Sequence, residues 1–83
     1  MIREIEIGKI YRHFKGNLYL VLDLAEHTET GEKMVVYKAL YENLKVYCRP
    51  LDMFLSKVDN QKYPNATQTY RFEEFMPEDL TKK

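Results

Sequence analysis

At 83 residues the chain is long enough for one small domain, and a domain of that size buries only about 60–65% of its unfolded surface. Thirteen Lys and Arg balance 13 Asp and Glu, so the formal net charge is zero; this argues against sequence-independent nucleic-acid binding, which needs a cationic excess, and it leaves little self-repulsion to oppose self-association. A hydrophobic content of 45% with 31% charged residues excludes a disordered tail, and no apolar run approaches the roughly 18 residues of a membrane span.

In chain order, Met1 to Ile7 alternates weakly and is read as an arm or edge segment that ends at Gly8. Lys9 to Lys15 is the first strand. Gly16-Asn17 is read as a two-residue hairpin loop, because glycine supplies a positive φ at the first loop position. Leu18 to His27 is the longest strand. Thr28-Glu29-Thr30-Gly31 forms a turn closed by a glycine bulge, and Glu32 to Tyr41 is the third strand. Glu42-Asn43 turns the chain into a fourth strand, Leu44 to Arg49. Proline suits a first helical position, so Pro50 to Phe54 is expected to form a single helical or 3₁₀ turn. Leu55 to Val58 can form a short strand, Asp59 to Thr69 is a polar surface loop, and Tyr70 to Phe75 is a last strand. Pro77 to Leu80 can begin a helix before a frayed Lys82-Lys83 end. The whole of 1–83 is one domain, with 1–7 and 76–83 as arms.

The two loops define an expected register. Lys15 faces Leu18, His13 faces Leu20 and Tyr11 faces Leu22; Ala25 faces Val35, Asp23 faces Tyr37, Val21 faces Ala39 and Tyr19 faces Tyr41. One sheet face then carries Phe14, Tyr19, Val21, Ala25, Val35, Tyr37, Ala39 and Tyr41. The other carries Tyr11, His13, Leu18, Leu20, Leu22, Leu24, Met34, Val36 and Leu40. Both are too apolar for a sheet with one wet side. The expectation is an all-β fold whose antiparallel sheet bends strongly into a small barrel, partly covered by the C-terminal segment. The alternative is an open sheet whose second face meets another copy of the chain.

Several residue strings resemble the bacterial DUF1653 family of short domains. They are Tyr11-Arg12-His13-Phe14-Lys15-Gly16-Asn17, then Tyr19, Val21-Leu22, Ala25 and His27, then Glu29-Thr30-Gly31-Glu32, then Val35 to Tyr41, and lastly Arg49-Pro50-Leu51 with Met53-Phe54. The resemblance spans roughly residues 8 to 58 and is ungapped to Tyr41. The chain departs from the family's usual pattern at the Glu42-Asn43 turn and at Cys48, where an aromatic residue commonly precedes the Arg-Pro pair. The resemblance implies a small all-β domain and no activity.

Candidate chemistry is sparse. His13 and His27 are the obvious candidates, because imidazole is the side chain whose unperturbed titration lies near neutrality, but the expected register sets them on opposite faces, which argues against a shared acid–base or metal role. His13 is then a packing residue beside Leu20, and His27 caps the strand end near Thr28. His27, Glu29 and Glu32 surround one turn, yet no further ligand joins them to complete a metal site, and no cofactor is expected. Cys48, in phase with Leu44 and Val46, reads as a buried small hydrophobe. As the single cysteine, in a chain without a recognisable signal peptide, it points to a reducing, cytoplasmic setting.

What remains is aromatic and cationic: Tyr11, Tyr19, Tyr37, Tyr41 and Tyr47 with Arg12, Lys15, Lys38 and Arg49. Tyrosine offers a rigid body with a polar tip, useful for binding and equally for filling a sheet core. The leading expectation is a non-catalytic, small SH3-like barrel or bent sheet that recognises a protein or peptide, with candidate ligand-binding residues Tyr11, His13, Tyr19, His27, Tyr37 and Arg49. Arg49, beside Pro50 where strand becomes turn, is the foremost of these; its structural alternative is an ion pair to Asp23 or Asp52. Competing readings are a nucleic-acid-binding barrel, less favoured by the charge balance; a small enzyme using His13 or His27 with Arg49; and a self-associating homodimer.

Overall fold

The computed structural model describes residues 4–76. Five strands form one antiparallel sheet: β1 (Ile10–His13), β2 (Leu18–Glu26), β3 (Lys33–Ala39), β4 (Val46–Pro50) and β5 (Phe72–Glu74), in the order β4-β3-β2-β1-β5. A four-residue helix, α1 (Leu51–Phe54), follows β4 directly. The fold is therefore all-β, with the helical turn after the fourth strand. The sheet is open: among the described residues β4 and β5 are edges that do not pair with each other, so the expected closure into a barrel is not made.

The first hairpin differs from expectation by its loop. The His13 N–H donates to the Asn17 carbonyl (2.8 Å) and the Gly16 N–H donates to the His13 carbonyl (2.7 Å), so Phe14, Lys15 and Gly16 make a three-residue loop. Gly16, at φ 109°, takes the last loop position rather than the first. Such a loop is a turn followed by a glycine bulge, the next most common hairpin after the two-residue kind. The longer loop shifts the register to Tyr11 opposite Tyr19 and Arg12 opposite Leu18. An odd shift in pairing exchanges sheet faces, so Tyr11 and His13 join the face of Tyr19 and Tyr37 instead of opposing it.

The second hairpin has a four-residue loop, Thr28 to Gly31, with His27 N–H donating to the Glu32 carbonyl at its base (2.8 Å). Ala25 therefore pairs with Met34 and Leu24 with Val35. The register slips by one residue between Val21 and Asp23, a bulge at Leu22, and beyond it Val21 pairs with Tyr37 and Tyr19 with Ala39. A bulge of this kind bends the strand and increases its twist. Ala25, expected opposite Val35 on the face of Tyr19 and Val21, is exposed.

The fourth strand starts two residues late because Glu42 (φ 49°) and Leu44 (φ 55°) both take left-handed backbone conformations in the preceding turn. Pro50 ends β4, still paired with Met34, and acts as the residue before the helix rather than its first. Of the expected Leu55–Val58 strand only Lys57 bridges, to Tyr70. Residues 4–7 form no strand, although Ile5 packs against the core and the Glu6 N–H donates to the Tyr11 hydroxyl (3.0 Å). The proposed helix at Pro77 to Leu80 and the frayed end lie outside the described residues.

One face of the sheet is buried, by the chain that follows β4. Phe54 from α1 and Phe72 from β5 stack in parallel at 3.9 Å over Tyr11, Val21, Val35 and Tyr37. Phe54 and Val21 are fully buried and Phe72 almost so. Burying side chains of this size contributes roughly 1.5–3 kcal/mol each, enough to decide which face becomes the core. The other face, with Ile10, Leu18, Leu20, Met34, Val36 and Val46, stays partly open to solvent.

Candidate functional site

The inner face ends in a strip of aromatic rings edged by cations. Tyr37 on β3 lies at its centre, with ring contacts to Tyr19 (5.3 Å), Tyr47 (5.9 Å), Phe54 (5.4 Å) and Phe72 (5.7 Å). The Tyr19, Phe54 and Phe72 contacts are edge-on, so the positive rim of one ring meets the negative face of the next, whereas the Tyr47 ring is tilted by 35°. Arg49 reaches in from β4 and donates from Nε to the Tyr37 hydroxyl (3.3 Å). Its side chain therefore uses neither Asp23 nor Asp52, the carboxylates expected from sequence. Tyr19 and Tyr41 share a hydroxyl–hydroxyl hydrogen bond of 2.7 Å. Burial, and then that hydrogen bond, pushes the Tyr19 phenol well above its ordinary range, so it remains a neutral donor or acceptor.

On the far side of the strip, His13 is wedged among rings. It stacks on Phe14 (4.5 Å) and meets Phe72 (4.9 Å) and Tyr19 (6.3 Å) edge-on. Its register partner is Phe72, and the next residue back, Arg71, accepts the Phe14 N–H through its carbonyl (2.9 Å). The Arg71 side chain donates from Nε to Ser56 Oγ (3.3 Å). Burial, and then the positive charges of Arg71, Arg49 and Lys15, lower the His13 pKa to about 4. His13 is thus neutral at neutral pH. Its Nδ1 accepts the Lys15 N–H (3.1 Å), which assigns the ring proton to Nε2.

Of the sequence-derived candidates, the structure brings together His13, Tyr19, Tyr37 and Arg49. Tyr11 belongs to the same ring system through Phe54 (5.6 Å) but is buried beneath it. His27 stands apart at the opposite end of β2, where its Nδ1 accepts the N–H groups of Glu29 (3.2 Å) and Thr30 (3.4 Å) and closes the turn. Among the described residues no three His, Cys, Asp or Glu side chains converge as a metal site requires. Arg71 is the functional candidate that sequence reasoning missed. Its only local mark is a cation between Tyr70 and Phe72; its proximity to His13 arises from the pairing of β1 with β5, in which His13 meets Phe72, 59 residues further along the chain.

Two shallow pockets adjoin the strip. One of about 170 Å³ lies at the start of β4, lined by Ala39, Tyr41, Glu42, Asn43, Lys45 and Tyr47. The other, about 270 Å³, is lined by Phe14, Tyr63 and Pro64 among others. Lys15 and Lys62 hold their ammonium groups 5.2 and 5.5 Å from the Tyr63 ring.

Cys48 is exposed, not buried. Its phase with Val46 holds, but that phase belongs to the outer face, because Cys48 pairs with Val36 while Tyr47 pairs with Tyr37. Among the described residues the outer rim of β4 is also free along its backbone. The Ala39 N–H donates to the Lys45 carbonyl (2.8 Å), so by alternation Tyr47 and Arg49 bond inward to β3, and Val46 and Cys48 direct their N–H and C=O groups outward. Among the described residues no strand pairs with that rim.

The fold and this strip define a small antiparallel β domain with an aromatic, cation-edged face and an open edge strand. The chain belongs to the DUF1653 family, described as proteins of unknown function, whose model matches residues 9–74. It is similar to the crystal structure of a DUF1653 protein from Bordetella bronchiseptica, with 33% sequence identity, 92% of each chain covered and a TM-score of 0.71. No curated protein matches it. Among the described residues no helix is long and apolar enough to cross a membrane.

Proposed function

We propose that this chain is a non-catalytic binding module that captures a protein partner by taking an extended segment of it along the open edge of β4. The observation that carries this reading is the β4 rim. An edge with unpaired N–H and C=O groups is a template for one more strand, and natural sheets usually block such edges with lysine, proline or a covering loop. Here the strand presents Val46 and Tyr47, 55% and 44% exposed, with only Pro50 as a block at its far end. An added strand would find main-chain partners at Val46 and Cys48, a shallow pocket beside Tyr41 and Tyr47, and Arg49 on the inner side. A peptide uses these features better than a nucleic acid does, because the main-chain groups match a peptide backbone and the net charge is zero.

The test is affinity capture from bacterial lysate treated with nuclease, run in parallel with wild-type protein, Val46→Lys and Cys48→Pro. Both substitutions act on outward groups and leave the β3 ladder intact. The expected result is one protein retained by the wild type, lost by both variants, and rebound as a purified pair. Capture that is unaffected by both variants would refute docking at β4, capture abolished by nuclease would favour nucleic acid, and retention of the chain's own copies alone would favour a homodimer.

A further inference from the structure

The open edge of β4 has two sides of different chemistry. Val46 and Cys48 are on the outer side, both exposed, with Lys38 and Val36 as their neighbours on β3. Tyr47 and Arg49 are on the inner side. Lys45 joins them, because its carbonyl accepts the Ala39 N–H in phase with their bonds to β3. Lys45 is exposed and lines one pocket with Tyr41 and Tyr47. Arg49 is half-buried and held through Nε at 3.3 Å from the Tyr37 hydroxyl, while the Tyr47 ring lies 5.9 Å from that of Tyr37. Among the described residues neither cation has a carboxylate in ion-pair contact. Glu42 in the preceding turn and Asp52 in α1 stand beyond the two cations in sequence. The inner side of the rim therefore runs cation, tyrosine, cation, bounded by an acidic residue at each end.

An added antiparallel strand bonds to the outward N–H and C=O groups of Val46 and Cys48. Its residues opposite Lys45, Tyr47 and Arg49 then form the non-hydrogen-bonded pairs, in which side chains approach most closely and opposite charges attract across the strands. We infer that the segment taken up along β4 is one in which acidic and aliphatic residues alternate. Its carboxylates lie on the inner side, opposite Lys45 and Arg49, and its aliphatic side chains lie on the outer side, beside Val46 and Cys48. The inference rests on the strand-docking reading above and supplies the partner's chemistry. A basic segment is repelled at the same two positions. A second copy of this chain is also a poor fit. The antiparallel β4–β4 register in which Val46 and Cys48 exchange their outward bonds is centred on Tyr47, and it sets Lys45 against Arg49.

The experiment is an NMR titration of the isotope-labelled chain at neutral pH and low salt, following the backbone amide signals of Val46 and Cys48. The probes are three peptides with capped ends, built from three repeats each of Val-Glu, Val-Lys and Thr-Glu. The last keeps β-branching and replaces the aliphatic side with a polar one. The Val-Glu peptide should shift both amides and bind about fivefold or more tightly than the Val-Lys peptide, because attraction becomes repulsion at two positions. The Thr-Glu peptide should bind about threefold or more weakly than the Val-Glu peptide. Lys45→Glu, at an exposed position, should narrow the preference for glutamate over lysine, and Lys45→Glu combined with Arg49→Glu should reverse it. Equal binding of the Val-Glu and Val-Lys peptides to the wild type would overturn the acidic half of the inference. A Thr-Glu peptide that binds as tightly as Val-Glu would overturn the aliphatic half. Either result leaves strand docking at β4 in place. Val46 and Cys48 amides unmoved by all three peptides would instead overturn strand docking and this inference together.

Discussion

The two faces of this one sheet are built from similar residues and have opposite fates. The inner face carries Tyr11, Val21, Val35 and Tyr37, all buried; the outer face carries Leu18, Leu20, Met34 and Val36, all half-exposed. Composition does not separate them. What separates them is coverage: α1 and β5 deliver Phe54 and Phe72 to the inner face, and nothing among the described residues packs comparably on the outer one. The stability of a short domain thus rests on where two phenylalanines land rather than on how apolar each strand is. The same asymmetry governs the edges, where cations and rings gather on the inner side and the β4 backbone is left free.

The largest effect should come from breaking the covered face. Phe72→Ala or Phe54→Ala should cost about 3–5 kcal/mol, because each removes a fully packed ring whose neighbour cannot collapse into the space. For a domain whose whole stability is about 5–10 kcal/mol, urea unfolding should shift to much lower midpoints or show an unfolded chain at room temperature.

Acid should act next, and through one residue. The folded His13 pKa, about 4, lies below the ordinary 6.5, so between these values the unfolded chain binds a proton that the native chain refuses. Stability should therefore be full above pH 6.5, fall as the pH drops toward 4, and lose nothing more through this group below that. The loss should be about 1–2 kcal/mol once solvent screening is allowed for. His13→Gln should remove that part of the slope in urea titrations repeated across the pH range.

Smaller still is the Tyr19–Tyr41 hydroxyl pair. Tyr41→Phe should cost about 0.5–1.5 kcal/mol in urea unfolding and bring the Tyr19 absorbance titration down toward the ordinary phenol range. The smallest effect belongs to the uncovered side. Val46→Lys, at an outward position of the edge strand, should change stability by less than about 0.5 kcal/mol while abolishing partner capture. A large destabilisation there would mean that the outer face is covered after all.

Much of this arrangement is legible in the residues. The Val- and Tyr-rich run in β3, the long β2, the glycine turn at Gly31 and the Arg-Pro step into a helical turn all announce themselves through period-two patterning and turn chemistry. The first hairpin misleads because Gly16-Asn17 fits a two-residue loop as well as a glycine closing a three-residue one. That single residue moves Tyr11 and His13 across the sheet, and with them the link between His13 and Arg49. The bulge at Leu22 leaves no mark in the sequence, since Val21, Leu22 and Leu24 are apolar in either phase. Cys48 shows the limit of periodicity: alternation says which residues share a face, and only the position of β5 and α1 says which face is inside. Arg71 and the Phe54–Phe72 stack depend on contacts between distant segments, for which local pattern carries no signal.

The covered face is felt most directly by His13, half-buried among its rings, where burial, and then the charges of Arg71, Arg49 and Lys15, hold its pKa down. The direct measurement is the His13 ring titration by NMR in dilute chloride, followed in wild type and in Arg71→Gln. A midpoint near 4 that rises in the variant is the predicted result; a midpoint near the ordinary 6.5, unmoved by the substitution, would contradict the burial of His13 among these rings and cations.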